Sequence, residues 1–86
     1  MKEHEKPLKA LANKRRLEIL SFLKKEREAT VGDIAEEIKL SFKATSKHLG
    51  ILKAANLVEH EQRSLAYFYR LGSSLPLAGQ AIIKLL

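Results

Sequence analysis

The stretch from Leu40 to Val58, LSFKATSKHLGILKAANLV, decides how the rest of the chain must be arranged. Thr45, Leu49 and Leu52, flanked by Ala44, Ile51 and Ala55, recur with the rhythm of a helix seated on a core. Lys43, Ser46, Lys47 and Gly50 follow the same spacing on another face, which is cationic, hydroxylic and thin, and no acid lies between Ser41 and Asn56. That face suits an anion. Ser41 is a natural N-cap and Asn56 tolerates the left-handed backbone that closes a helix, so the spacing predicts one bounded helix between them.

Working outward, Thr30 and Asp33 resemble a capping box, and Val31, Ile34, Ala35 and Ile38 continue as a short amphipathic helix ending near Lys39. Only Lys39 and Leu40 separate it from Ser41. This is the spacing of a helix-turn-helix, without the glycine often found in the turn. On the other side, Leu57 to Glu61 and Ala66 to Leu71 read as strands, with Gln62, Arg63, Ser64 and Leu65 forming the turn of a hairpin. Val58, His60 and Gln62 share one face of the first strand, and Tyr67, Tyr69 and Leu71 one face of the second. A hairpin directly behind a helix-turn-helix is a wing. Its tip is expected to carry Arg63, either to reach a minor groove or phosphate, or as a simply exposed cation.

The flanks supply the remaining helices. Pro7 suits a first helical turn, and Leu8, Leu11 and Ala12 form an apolar edge, giving a brief helix over about residues 6–12 before Asn13 offers a new cap. From Lys14 to about Arg27, Leu17, Ile19, Leu20, Phe22 and Leu23 cover more than one stripe, so this second helix is expected to be central. Lys14, Arg15 and Arg16 at its start are either phosphate contacts or plain surface, since cations there oppose the helix dipole. After Gly72, Ser73 and Ser74, Pro76 introduces a last helix over about residues 75–86 that is apolar on most sides. A second copy of the chain would cover it; otherwise it lies across its own core, or the chain is a piece of something longer. The expected fold is mostly α with a two-stranded β-wing: a dimeric winged helix-turn-helix in the order α-α-α-α-β-β-α, one domain over residues 1–86.

Composition narrows the function. Eighty-six residues make one domain, small enough that a partner subunit helps to bury a core. The absence of cysteine excludes disulfides, thiolate metal sites and a cysteine nucleophile, and suits a reducing compartment. The amino terminus MKEHEKPL is charged, and no run approaches the roughly 18 apolar residues of a membrane span, so a soluble cytoplasmic protein is expected. A net charge of +6, doubled in a twofold assembly, favours nucleic acid as partner. No serine, histidine and acid are spaced as a triad and no glycine loop cradles a phosphate, so neither an enzyme nor a cofactor is expected.

Four pieces, LANKRRLEIL from Leu11, VGDIAEEI from Val31, the Leu40–Val58 stretch and the wing ending YFYRL at Leu71, make the chain resemble the ArsR/SmtB family of dimeric winged-helix repressors from about Leu8 to Leu71. The resemblance implies that first and last helices pair across a twofold axis, through Leu8, Leu11, Leu77, Ala81, Ile82 and Leu85. It places Ser41, Phe42, Lys43, Ser46, Lys47 and His48 in or beside the major groove of operator DNA. Lys53 and Arg63 add phosphate contacts. His48, in line with Ala44 and Ile51, is either a boundary histidine bonded internally or a phosphate contact. Phe42 stands where relatives commonly have glutamine or serine, leaving a thymine methyl contact or packing in the turn. Thr30 and Gly32 occupy the positions of the metal-sensing cysteines, and residues 75–86 lack Asp, His and Glu, so no metal site is expected. The expected function is a homodimeric repressor binding sequence-specific double-stranded DNA; the alternative is a winged-helix protein-interaction module using the last helix or the Phe68 side of the wing. No effector can be named from these residues.

Overall fold

Three helices start at the side-chain caps written into the sequence, in a computed structural model that describes residues 1–86. Asn13 Oδ1 accepts the Arg16 N–H at 3.1 Å and opens α2 (Lys14–Glu26). Thr30 Oγ1 accepts the Asp33 N–H at 3.1 Å while Asp33 Oδ2 accepts the Thr30 N–H at 3.2 Å, a complete capping box at the start of α3 (Val31–Ile38). Ser41 Oγ accepts the Ala44 N–H at 3.1 Å and opens α4 (Phe42–Ala54). That helix closes on Asn56 at φ 60°, with Leu57 N–H donating to Leu52 O at 3.0 Å and Asn56 N–H to Lys53 O at 3.0 Å. This pair of bonds is a Schellman closure.

The turn of the helix-turn-helix uses the same closure without a glycine. Lys39 sits at φ 55°, ψ 52°, with Leu40 N–H on Ala35 O at 3.0 Å and Lys39 N–H on Glu36 O at 3.3 Å. A Cβ in the left-handed region costs about 1–2 kcal/mol, part of which glycine returns through its freer unfolded chain. Lys39→Gly is therefore expected to raise stability by about 0.5–1 kcal/mol, seen as a higher urea midpoint at unchanged m-value.

Several boundaries differ from expectation. The first helix, α1, runs from Lys2 to Leu11 instead of residues 6–12, with Pro7 inside it and buried. Glu3 and Glu5 in the first turn and Lys9 in the last complement the helix dipole, and Glu5 pairs with Lys9 at 3.2 Å, so the charged amino terminus favours the helix. A third strand also appears. β1 (Ala29–Thr30) pairs antiparallel with β3 (Ala66–Leu71), Ala29 opposite Tyr69 and Thr30 opposite Phe68, and the sheet order is β1-β3-β2. The order of elements is thus α-α-β-α-α-β-β-α; two residues are too few to show a strand's periodicity. β2 (Val58–Arg63) lies on the other side of β3 with Val58 opposite Leu71, His60 opposite Tyr69 and Gln62 opposite Tyr67. Its register brings the two expected faces together. The turn tightens to Ser64 and Leu65, with Ser64 at φ 58°, so Arg63 ends the strand instead of occupying the tip.

The core forms around α2. Ile19, Leu20 and Leu23 are buried together with Ile34, Ile38, Leu49, Leu52 and Leu57. The last helix, α5 (Leu77–Leu85), docks through Ile83 and Gly79. A Cβ at Gly79 would lie 2.5 Å from Leu57 Cδ2, so any larger residue there would have to displace the Leu57 side chain. Lys24 Nζ donates to Ile83 O at 3.0 Å and Lys84 O at 3.4 Å, a cation placed on the carbonyl end of α5. α5 also lies against α1, so part of the apolar tail is covered within the protomer. No helix is long and apolar enough to cross a membrane.

Candidate nucleic-acid interface

The roll of α4 is set by Thr45, Leu49 and Leu52, all fully buried. Its other face follows from that. Ser41, Phe42, Lys43, Lys47, Gly50 and Lys53 are exposed and Ser46 is half-buried. Phe42 is 63% exposed, so it does not pack in the turn. Around Gly50 a Cβ would meet nothing within 4 Å. A helix-interior glycine costs about 1 kcal/mol relative to alanine, and nothing inside the protomer requires it. Ile51, expected on the core's flank, is 39% exposed. The acids gather elsewhere, Glu26, Glu28, Asp33, Glu36 and Glu37 lining one hollow beside α3.

The basic residues that open α2 are used inside the protomer. Arg15 Nη1 donates to Ile38 O at 2.6 Å and to Glu18 at 3.2 Å. Arg16 Nε donates to Ala10 O at 2.6 Å and Nη2 to Lys9 O at 3.3 Å, while Nη1 lies 3.3 Å from His48 Nδ1. Both guanidiniums turn from the start of their own helix to the carbonyl ends of α3 and α1, where the helix dipole favours a cation. Of this cluster Lys14 stays exposed. Burial, and then the charges of Arg16, Arg15 and Lys47, push the His48 pKa below its ordinary value. The neutral ring accepts from Arg16 through Nδ1, the internally bonded arrangement.

Arg63 is placed differently from expectation. Nη1 donates to Glu28 Oε2 at 2.6 Å and Nη2 to Glu28 Oε1 at 2.9 Å, a bidentate pair, and Nη2 also reaches Glu61 Oε1 at 3.1 Å. The guanidinium lies 4.7 Å over the Phe68 ring. Beside it, Arg70 donates to Glu59 at 3.0 Å and to Glu61 at 3.2 Å. The hydrogen bonds from Arg63 hold the Glu28 and Glu61 carboxyls below the usual range, and Glu28 in turn pushes the Arg63 pKa up. Sequence reasoning missed this because Glu28 lies 35 residues from Arg63 along the chain and no local pattern links the two. Around Arg63 the exposed residues of the tip, Gln62, Ser64, Leu65 and Tyr67, are uncharged, Leu65 being 97% exposed, so the one cation there is the one held by Glu28 and Glu61.

The residues expected at a subunit interface divide in two. Leu8, Leu77, Ala81 and Leu85 are exposed on the adjoining helices α1 and α5, and Ile82 is half-buried. Leu11 is buried in the protomer's own core, and its expected place at the interface is corrected accordingly.

Comparison with known proteins places this geometry in a group. A family described as bacterial regulatory protein, arsR family, matches residues 13–60. The transcriptional activator HlyU of Vibrio cholerae is 40% identical over 67 residues, which are 78% of this chain and 61% of that protein. The chain therefore spans about three fifths of the length of that relative. The transcriptional repressor SdpR of Bacillus subtilis is 34% identical over 67 residues, 78% of this chain and 73% of SdpR. The structure of reduced HlyU superposes with a TM-score of 0.83 at 37% identity, covering 98% of this chain and 84% of that one. A homodimeric winged helix-turn-helix DNA-binding domain from Mycobacterium bovis gives 0.80 at 32% identity, covering 98% and 71%. With its capped helix-turn-helix and antiparallel wing, the chain belongs to the ArsR family of bacterial regulatory proteins.

Proposed function

We propose that the chain is a homodimeric transcriptional regulator that binds double-stranded operator DNA in the cytoplasm and represses by occupying a promoter. The observation that carries this reading is the acid-free outward face of α4, with Lys43, Lys47 and an uncovered Gly50, on a helix held in one rotation by Thr45, Leu49 and Leu52. Residues 1–86 act as a single domain. Two copies pair through Leu8 on α1 and Leu77, Ala81, Ile82 and Leu85 on α5, and present their α4 helices to successive major grooves about 34 Å apart. Lys43, Lys47 and Lys53 neutralise phosphates, Ser41 and Ser46 read base edges, and Phe42 meets a thymine methyl. The homodimeric relative from Mycobacterium bovis supports the assembly, and the repressor SdpR, unlike the activator HlyU, supports the direction of control.

The test uses an operator selected from a random duplex pool and fluorescence anisotropy across a salt series. Lys47→Ala is expected to weaken binding and to flatten the salt slope by about 0.9 for each phosphate no longer neutralised. Ser46→Ala is expected to change sequence preference at constant slope. If both variants match the wild type, α4 is not the reading helix.

The wing supplies a contrasting prediction. Glu28→Gln keeps the side-chain shape but weakens the bidentate hold on Arg63. Freed to reach phosphate, Arg63 is expected to steepen the salt slope by about one per wing and to raise affinity at low salt. An unchanged slope would mean that Arg63 stays on Glu61 and Phe68.

A further inference from the structure

Between α1 and the second half of α4 runs a groove of about 620 Å³ that the DNA-reading face does not use. Its seat is apolar: Ala10, Ile51 and Ala54 line it, and Ile51 is left partly uncovered there. Its rim is cationic on balance: Lys2, Lys6, Lys9 and Arg16 line it with one acid, Glu5, which is paired with Lys9.

Arg16 is the unusual member of this set. Contacts to Ala10 O, Lys9 O and His48 Nδ1 hold its guanidinium in place, so little rotamer freedom is left to lose on binding. A guanidinium has five N–H groups; these contacts engage three, and two remain. Spare donors on a fixed, planar cation suit a carboxylate, and the apolar seat beside them suits a hydrocarbon body. A nucleic-acid backbone would match the rim but not the seat, and a neutral apolar molecule the seat but not the rim. The volume is that of an ordinary small-molecule site.

We propose that this groove is a ligand site for a small carboxylate with an apolar body, seated on Ile51 and Ala54 with its charge at Arg16 and Lys6. The occupant touches α1 and α4 together, beside the Arg16–His48 contact. A consequence, which rests on the DNA-binding reading, is that occupancy changes duplex affinity.

The experiment titrates the ¹⁵N-labelled chain with sodium octanoate below its micellar range, with acetate and octanol as controls. Octanoate is expected to shift the amides of Ala10, Ile51, Ala54 and Ala55 saturably. Each control lacks either the hydrocarbon body or the charge, and is expected to bind at least about tenfold more weakly. Ile51→Glu and Lys6→Glu, both at exposed positions, are expected to lose octanoate binding while keeping the wild-type circular dichroism. Equal responses to octanoate and octanol, shifts confined to Leu8, Leu77 and Leu85, or unaltered binding in both variants would overturn the site. Duplex affinity with and without saturating octanoate then tests the coupling, a change in the wild type that Ile51→Glu lacks supporting it and no change overturning it. A chain that binds no duplex at all fails the DNA reading instead, and the amide shifts still judge the site.

Discussion

Replacing Arg16 by methionine is expected to lower the stability of the fold by about 3 kcal/mol. Methionine keeps the length and helix preference of arginine but removes charge-assisted hydrogen bonds to the carbonyls of Ala10 and Lys9 and the contact to His48. Bonds to a charged group contribute about 1.5–3 kcal/mol each, and the Ala10 carbonyl left behind loses its partner at the end of α1, whereas Lys9 O keeps the Ala12 N–H. Against a total of about 5–15 kcal/mol, that is a large share, and the melting temperature should fall by on the order of 15 °C. Arg16→Lys, which retains the charge without the fork, should fall between the two. Urea and thermal unfolding would measure both; a loss under about 0.5 kcal/mol for Arg16→Met would show that α1 is held by its apolar contacts alone.

The second large effect concerns assembly. Leu8→Glu combined with Leu77→Glu places four carboxylates in the proposed twofold interface while leaving the core untouched, since both leucines are exposed in the protomer. The double variant is expected to stay folded, to sediment as a monomer, and to lose two orders of magnitude or more of duplex affinity, on the order of the gain from linked binding. Leu11→Glu is the instructive contrast. Leu11 is 4% exposed and packed in the core, so a charge there should unfold the protomer instead of separating two folded ones. Sedimentation equilibrium with circular dichroism distinguishes these results. A double variant that remains dimeric would move the pairing surface away from α1 and α5.

Local chemistry was legible in the sequence, and distant pairing was not. The caps at Asn13, Thr30 and Ser41 and the left-handed closure at Asn56 depend on residues within a few positions of one another, and each stands where the sequence places it. The inward face of α4 was equally readable, because Thr45, Leu49 and Leu52 obey one period. The lysine at the left-handed position of the turn was not, since side-chain identity there argues against the backbone the packing imposes. Arg63 lay beyond local reading for a different reason: its partner Glu28 is brought up by β1, a strand too short to recognise. Arg15 and Arg16 likewise looked misplaced against their own helix dipole, and only the arrival of α3 and α1 makes sense of them.

Thr30 belongs to two elements at once. Its backbone stands opposite Phe68 in the sheet, while its hydroxyl and N–H complete the cap of α3. The base of the wing and the first turn of α3 therefore share one residue, and amide exchange in the two is expected to be linked. A partner that grips the wing would slow exchange in α3 as well, transmitting rigidity to the supporting helix of the helix-turn-helix through a single residue.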